Sequence, residues 1–284
     1  MRAEKYVIQK NQKLSLSLQN KFSISYNFVQ KLLRSKDVKV NGSRVSKDLS
    51  LCVGDEVLVF LPDDAFKPEI VYEDENIIVV FKKRQIETVS LEGENDLLSK
   101  VSDYLKLKCF AVHRLDRNTE GLVVFAKNVK AKDCLDQAFK NRTLEKYYLA
   151  LTYGFIQSGT YTAFLRKDSK QSLVYISDDK KPNYEKIITK VSVLKSQGDM
   201  SFVEVELVTG KTHQIRAHLA HIGSFIVGDE KYGDSKINKE LKKKFQCLCA
   251  HKLVFHFKKG EFLEYLNNKT IMLDKSKIDF CKNL

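Results

Sequence analysis

Two runs, "IIVVF" at 77–81 and "GLVVFA" at 121–126, constrain this chain more than any other feature. Each is apolar throughout and only as long as a strand. Side chains on a strand alternate between two faces, so an unbroken apolar run is a strand covered on both. "KYYLALTYG" at 146–154, "YTAFL" at 161–165, "YEKIITKVSVL" at 184–194 and "KLVFHF" at 252–257 read as further strands. "FVEVELV" at 202–208 alternates cleanly between apolar and acidic residues. Helices are fewer. Val129, Cys134, Leu135, Ala138 and Phe139 share one face of a helix predicted over 129–140 and capped by Asn128, and "THQIRAHLAHIG" predicts another, ending at Gly223. Because crossover helices do not regularly separate the strands, the pattern predicts an α+β domain on a mixed, mostly antiparallel sheet.

The first part of the chain differs in character. Between Lys10 and Leu49 nine Lys or Arg face two acids, more than half of a net charge of +13 in about a seventh of the length. "SYNFVQKLLRS" places Tyr26, Val29, Leu32 and Leu33 on one helical stripe, with Ser25 as its N-cap. "VKVNGSRV" sets two β-prone runs around Asn41-Gly42, a strong hairpin signal. "GDEVLVFLP" adds a strand that closes at Pro62. Residues 13–62 are therefore expected to form a small α/β RNA-binding domain, 63–69 a linker and 70–284 the main domain. The tail beyond about residue 262 is mostly charged and weakly patterned.

A strong positive balance argues for a polyanionic partner, and nucleic acid is favoured over a membrane because no amphipathic anchor stands out. "MRAEKYVIQKNQK" is too charged for a secretory leader, and no apolar stretch approaches the length of a membrane span. Cys52, Cys109, Cys134, Cys247, Cys249 and Cys281 include no C-x-x-C pair, so reduced thiols in a cytoplasm are expected.

Four motifs fail on physical grounds. "VTGKTHQ" ends like a phosphate-binding loop, but the position that needs glycine is Val205, inside the alternating strand. His213, His218 and His221 invite a zinc reading, yet residues five apart on a helix point away from each other. "CLCAH" at 247–251 alternates ligand types along a strand, with nothing local to face them. "HRLD" is similar to a kinase catalytic loop, but Leu115 separates Arg from Asp and position 121 is Gly rather than Asn. No metal and no cofactor are expected.

"HRLDRNTEGL" at 113–122 places Asp116 between Arg114 and Arg117, and it is followed by "LEKYYLALTYG" at 144–154 and "LVTGKTHQIRAHLAHIG" at 207–223. Taken together, these three segments resemble the RluA-type pseudouridine synthases, over roughly residues 13 to 260, and the opening is similar to their S4-type RNA-binding domain. The resemblance implies isomerisation of uridine to pseudouridine in RNA, without cofactor or metal. The bond from ribose C1′ to uracil N1 breaks, the base turns, and C5 joins C1′. Such chemistry needs an ionised carboxylate beside C1′, either to attack or to assist loss of a ribose proton. A guanidinium favours the charged form and orients it.

By motif the family's aspartate matches Asp116 and its arginine partner matches Arg216. In K-x-Y-x-A the tyrosine that stacks on the base and stays close to C5 matches Tyr148, which leaves Tyr147 to packing on the other face. Flipping the target from its stack costs a few kcal/mol, and Arg114 matches the residue that fills the vacated space. His113, Arg117, Lys211, His213 and Gln214 complete the expected substrate set, with His113 expected to shape the loop rather than to shuttle protons. Lys31, Arg34, Lys36, Lys39 and Arg44 are the expected RNA contacts of the S4-like domain, and Gly121 is expected to allow close backbone approach.

The chain departs from the family pattern in several places. Glu120 occupies a position usually small, adding negative charge to the loop, and Lys211 replaces Arg. "FKKRQIETVS" lacks the expected Lys-Pro, "CLCAH" stands where His-Ala is usual, and the S4-like opening is eroded. Asp116, Tyr148 and Arg216 are untouched. A monomer acting on large-subunit ribosomal RNA is expected, with transfer RNA the alternative target. Two rivals make different predictions. A non-catalytic RNA-binding or ribosome-assembly protein would keep RNA affinity and modify no base; a metal-dependent RNA hydrolase would hold zinc and respond to chelators.

Overall fold

The computed structural model describes residues 2–22, 24, 26–61, 67–90, 96–168 and 171–281. Ser25, Pro62 and most of the expected linker lie outside the described residues. The chain divides into two compact units, one of residues 1–68 and 89–109, the other of residues 69–88 and 110–284. Residues 89–109, expected within the main domain, group with the first unit.

In the first unit β1 (Arg2–Val7), β3 (Val38–Val40), β4 (Ser43–Val45) and β6 (Glu56–Leu61) form a sheet of order β1-β6-β3-β4, and β2 (Gln12–Lys13) pairs with β5 (Ser50–Leu51). The β3–β4 hairpin turns at Asn41 and Gly42, with φ of 49° and 81°. Both angles are left-handed, as a tight hairpin of this kind requires. Helices α1 (Leu14–Phe22) and α2 (Tyr26–Arg34) bury Leu14, Leu18, Val29, Leu32 and Leu33 against that sheet. A further helix, α3 (Leu97–Leu105), is capped by Asp96, whose Oδ1 accepts from the Ser99 N–H at 2.7 Å. Such a cap contributes about 1 kcal/mol.

The second unit is built on one large sheet. Its strands are β7 (Glu69–Glu73), β8 (Ile77–Lys82), β9 (Phe110–Ala111), β10 (Glu120–Ala126), β11 (Leu144–Tyr153), β12 (Gly159–Asp168), β13 (Leu173–Ser177), β14 (Glu185–Gln197), β15 (Met200–Leu207), β16 (Phe225–Ile226), β17 (Leu248–Phe255) and β18 (Thr270–Met272). The main order is β13-β12-β14-β15-β11-β17-β10-β8-β7. All these neighbours are antiparallel except β10 and β17, which run parallel. Every residue of β8 and of β10 is buried, as two covered faces require.

Three helices complete the unit: α4 (Val129–Asn141), α5 (Gln214–His221) and α6 (Ser235–Glu240). Asn128 caps α4 through Ala131 N–H at 2.9 Å. The tail is not loose. Leu263, Leu266, Ile271, Leu273, Ile278 and Phe280 are buried in the same core as β8 and β10. They were illegible as a pattern because short 3₁₀ turns space them irregularly. Among the described residues no helix is long and apolar enough to cross a membrane.

Candidate active site

One row across the sheet sets the site. Gly121 of β10 lies beside Ala250 of β17, which pairs with Tyr148 of β11, which pairs with Val205 of β15. Gly121 has φ of +130°, and a Cβ there would lie 2.3 Å from the Ala250 carbonyl oxygen. Only glycine allows strands β10 and β17 to meet. The loop before β10 carries Asp116, and a Thr119 N–H donated to the Asp116 carbonyl at 3.0 Å closes its turn. Thr119 is held in turn by the side-chain amide of Gln246.

Helix α5 brings Arg216 to this loop. Its Nη1 donates to Asp116 Oδ2 at 2.9 Å, while Nε and Nη2 grip the two oxygens of Asp229 at 2.6 and 2.9 Å. Asp229 is fully buried, just past β16, and its Oδ1 also accepts from the Lys231 and Tyr232 N–H groups. Burial favours the neutral forms of both partners. The guanidinium wins, holding Asp229 below the usual carboxylate range, and the two carboxylates hold Arg216 above its own. Asp116 is the more accessible acid, a quarter exposed, and its Oδ1 has no hydrogen-bond partner among the described residues.

Tyr148 is almost fully buried, and its hydroxyl meets no hydrogen-bond partner among the described residues. Burial first, and the Asp116 charge second, raise its pKa. At neutral pH it is therefore a phenol. His213 Nε2 lies 3.8 Å from Asp116 Oδ2, and its Nδ1 meets the Tyr232 hydroxyl at 2.9 Å. Burial outweighs the Asp116 attraction and lowers the His213 pKa. The site thus offers an oriented carboxylate, a guanidinium with fixed aim, a neutral phenol and a neutral imidazole.

The sequence profile of the RNA pseudouridylate synthases matches residues 76–221. An RNA pseudouridine synthase of Mycoplasma genitalium, uncharacterised, is 37% identical over 228 residues, covering 75% of this chain and 71% of that protein. The chain belongs to the RluA-type RNA pseudouridine synthases. Another uncharacterised member, from Bacillus subtilis, is 32% identical and covers 84% of this chain and 83% of its own length. The ribosomal large subunit pseudouridine synthase C of Rickettsia bellii is 32% identical, with coverage of 75% and 80%. The solved human RNA pseudouridylate synthase domain-containing 1 shares the fold, with a TM-score of 0.58 at 24% identity over 79% of this chain and 98% of that one. This protein is therefore an enzyme that isomerises uridine in RNA.

Within the synthase fold, several side chains expected to touch substrate are engaged elsewhere. His113 stacks on Phe139 at 4.9 Å, and its Nε2 accepts the Val124 N–H at 3.0 Å. Burial, then the Lys146 charge, push its pKa down to about 3. Gln214 is buried, accepting from Thr209 Oγ1 and Lys211 N and donating to Ile188 O and Thr189 Oγ1. The Lys211 ammonium is paired with Glu185. His113 and Gln214 thus hold loops, while the Lys211–Glu185 pair lies at the surface. Arg114 is exposed and has no partner among the described residues. Arg117, also exposed, reaches the Gln85 carbonyl at 3.4 Å.

Glu120 does not charge the cleft. It sits on the sheet face opposite Tyr148, with Arg84 Nη2 at 2.6 Å. Burial raises its pKa, opposed by Arg84. His218 is bound to Thr189 Oγ1 and His221 to Asp178, and among the described residues no three His, Cys, Asp or Glu side chains could hold a metal ion.

Pattern reading missed Asp229, Tyr232, Gln246 and Lys82. The Lys82 ammonium is wholly buried under the Asp116 loop, donating to the carbonyls of Lys83, Ile86 and Arg117 at 3.1, 2.7 and 3.1 Å. Burial lowers its pKa to about 8, against the attraction of Asp116, Glu120 and Glu87.

In the first unit, Lys31, Arg34, Lys36 and Arg44 are exposed and Lys39 is half-buried. Arg44 donates to the Lys36 carbonyl at 2.6 Å, and Lys39 and Arg44 both lie over the Phe60 ring. The basic residues after α2 and on the β3–β4 hairpin thus share one surface of that unit.

Proposed function

We propose that this synthase modifies uridines of large-subunit ribosomal RNA, with Asp116 as the catalytic carboxylate, Arg216 as its partner and Tyr148 as the residue on which the detached uracil rests. The observation that carries the reading is the single bond between Arg216 and Asp116. Two of the three available guanidinium contacts are spent on Asp229, so Asp116 is aimed by one oxygen and presents the other, unbonded, to the cleft. That is the form in which a carboxylate attacks C1′ or takes a ribose proton. The detached base gains a proton at N1 and loses one from C5, and the Tyr148 phenol is the polar group nearest that work on the sheet floor.

Arg114, exposed and unpaired, is suited to fill the stack the uridine leaves. The basic face of the first unit docks the RNA as an S4-like domain, 13–62, joined through 63–69 to a catalytic domain of 70–284. Docking through phosphates makes binding weaken steeply with salt. The enzyme works as a monomer in the cytoplasm, a compartment that suits six free thiols. The ribosomal target is drawn from the Rickettsia relative's name. Pseudouridine mapping across all RNAs of cells lacking the gene, complemented with wild type or Asp116→Asn, tests it. Large-subunit sites that return only with wild type are expected; sites confined to transfer RNA would overturn the target.

A further inference from the structure

Lys146 is a half-buried cation of the second unit. It lies on the same face of β11 as Tyr148, two residues upstream and therefore roughly 6.6 Å away along the strand. Its ammonium has no carboxylate, carbonyl or hydroxyl partner among the described residues. It stands 5.4 Å from the Phe139 ring centroid, and a Cβ on Gly210 would come within 3.2 Å of it. Phe139 stacks on His113, the neighbour of Arg114, so the ammonium belongs to the wall of the cleft that the Asp116 loop also lines.

The acids nearby in sequence do not serve it. Glu145, on the opposite face, accepts from the Tyr147 hydroxyl and meets His256; Glu206 is paired with Lys190. Lys211 has its own partner in Glu185. Burial and the charge of Arg142, a second cation, both lower the Lys146 pKa, and no carboxylate acts against them. Lys146 is half-buried, and a cation partly withdrawn from water with no carboxylate beside it favours an anion that arrives to complete it.

We propose that Lys146 receives a backbone phosphate of the RNA next to the target uridine, with Arg142 adding to the field. This rests on the Asp116 cleft being the catalytic one. A phosphodiester is the anion that flanks every uridine in the substrate, and Gly210 leaves room for its approach. Lys146 is thus a positioning residue, setting how far the ribose enters the cleft.

Two variants and one substrate series test the assignment. Lys146→Met keeps the stem over Phe139 and removes the charge; Lys146→Arg keeps the charge. Kd for substrate RNA is measured across a salt series, and KM and kcat by tritium release from 5-tritiated uridine. Lys146→Met should weaken binding about tenfold, with the loss falling on KM more than on kcat. Its log Kd against log salt should be shallower by about 0.7, the loss of one single-strand phosphate contact. Lys146→Arg should restore the slope. With wild-type enzyme, a neutral methylphosphonate at one linkage flanking the target should reproduce the loss, and it should add nothing further in Lys146→Met. An unchanged slope, or losses that simply add at every linkage, would overturn the proposal, as would a wild-type enzyme indifferent to every neutral linkage. Failure of the underlying catalytic reading would appear separately, as tritium release that survives Asp116→Asn.

Discussion

Asp229→Asn is the perturbation whose consequences the structure fixes most fully. The change keeps side-chain volume and an acceptor for the Lys231 and Tyr232 N–H groups, but it turns an N–H₂ toward Arg216 and leaves a buried guanidinium with one carboxylate instead of two. Removing one partner of a buried pair costs about 3–5 kcal/mol. Here Asp116 remains as a second partner, so a loss of roughly 2–4 kcal/mol is expected, a fall in Tm of roughly 5–15 °C for a domain of this size. Arg216 would swing toward Asp116, and a displacement on the order of 1 Å at a reacting group costs about 10²-fold in kcat.

The pH dependence has a definite sign. The Asp229 carboxyl is held below 3.8 in the folded state, so its stabilisation is complete above that value and is lost as pH falls through the folded pKa. The stability gap between wild type and Asp229→Asn should therefore be full at neutral pH and close in acid. Thermal melts from pH 3 to 8, beside tritium release, read both effects. A Tm within about 1 °C of wild type and kcat within twofold would refute the idea that Asp229 fixes the aim of Arg216.

Other substitutions probe the frame of the site. Lys82→Met leaves three carbonyls without their donor and should cost about 1–3 kcal/mol by chemical denaturation. Because burial lowers Lys82 to about 8 from 10.5, the unfolded chain binds more protons between those values, so wild-type stability gains there as pH rises and the Met variant should lack that gain. Gly121→Ala drives a methyl into the Ala250 carbonyl and should abolish soluble expression or lower Tm by more than about 10 °C; a melt like wild type would contradict the register of β10 on β17.

Much of this was legible in the sequence, and the exceptions share a cause. Unbroken apolar runs marked β8 and β10 because two covered faces leave no polar position. The pairing of Asp116 with Arg216 was legible only through the resemblance of their two segments to the family's motifs, since a hundred residues separate them and no local pattern links them. Asp229 was invisible: one of two adjacent acids in "VGDEKYG", it acquires its role only when the fold brings α5 beside it. Lys82 stood in "FKKR", where Lys83 beside it is exposed and nothing in composition distinguishes the lysine turned inward. The directions of His113 and Gln214 were likewise not written in their motifs, because their partners Val124, Ile188 and Thr189 lie on other strands. Helix α3 did carry a signal, Asp96 ahead of Leu97 and Val101, too short to stand out.

The most direct measurement is single-turnover tritium release from 5-tritiated uridine in bound RNA, comparing wild type with Asp116→Asn under conditions where both are saturated. Wild type should release tritium without added metal, and the variant should bind RNA yet release essentially none. Release by the variant at a rate near wild type would show that the carboxylate held by Arg216 takes no part in the chemistry.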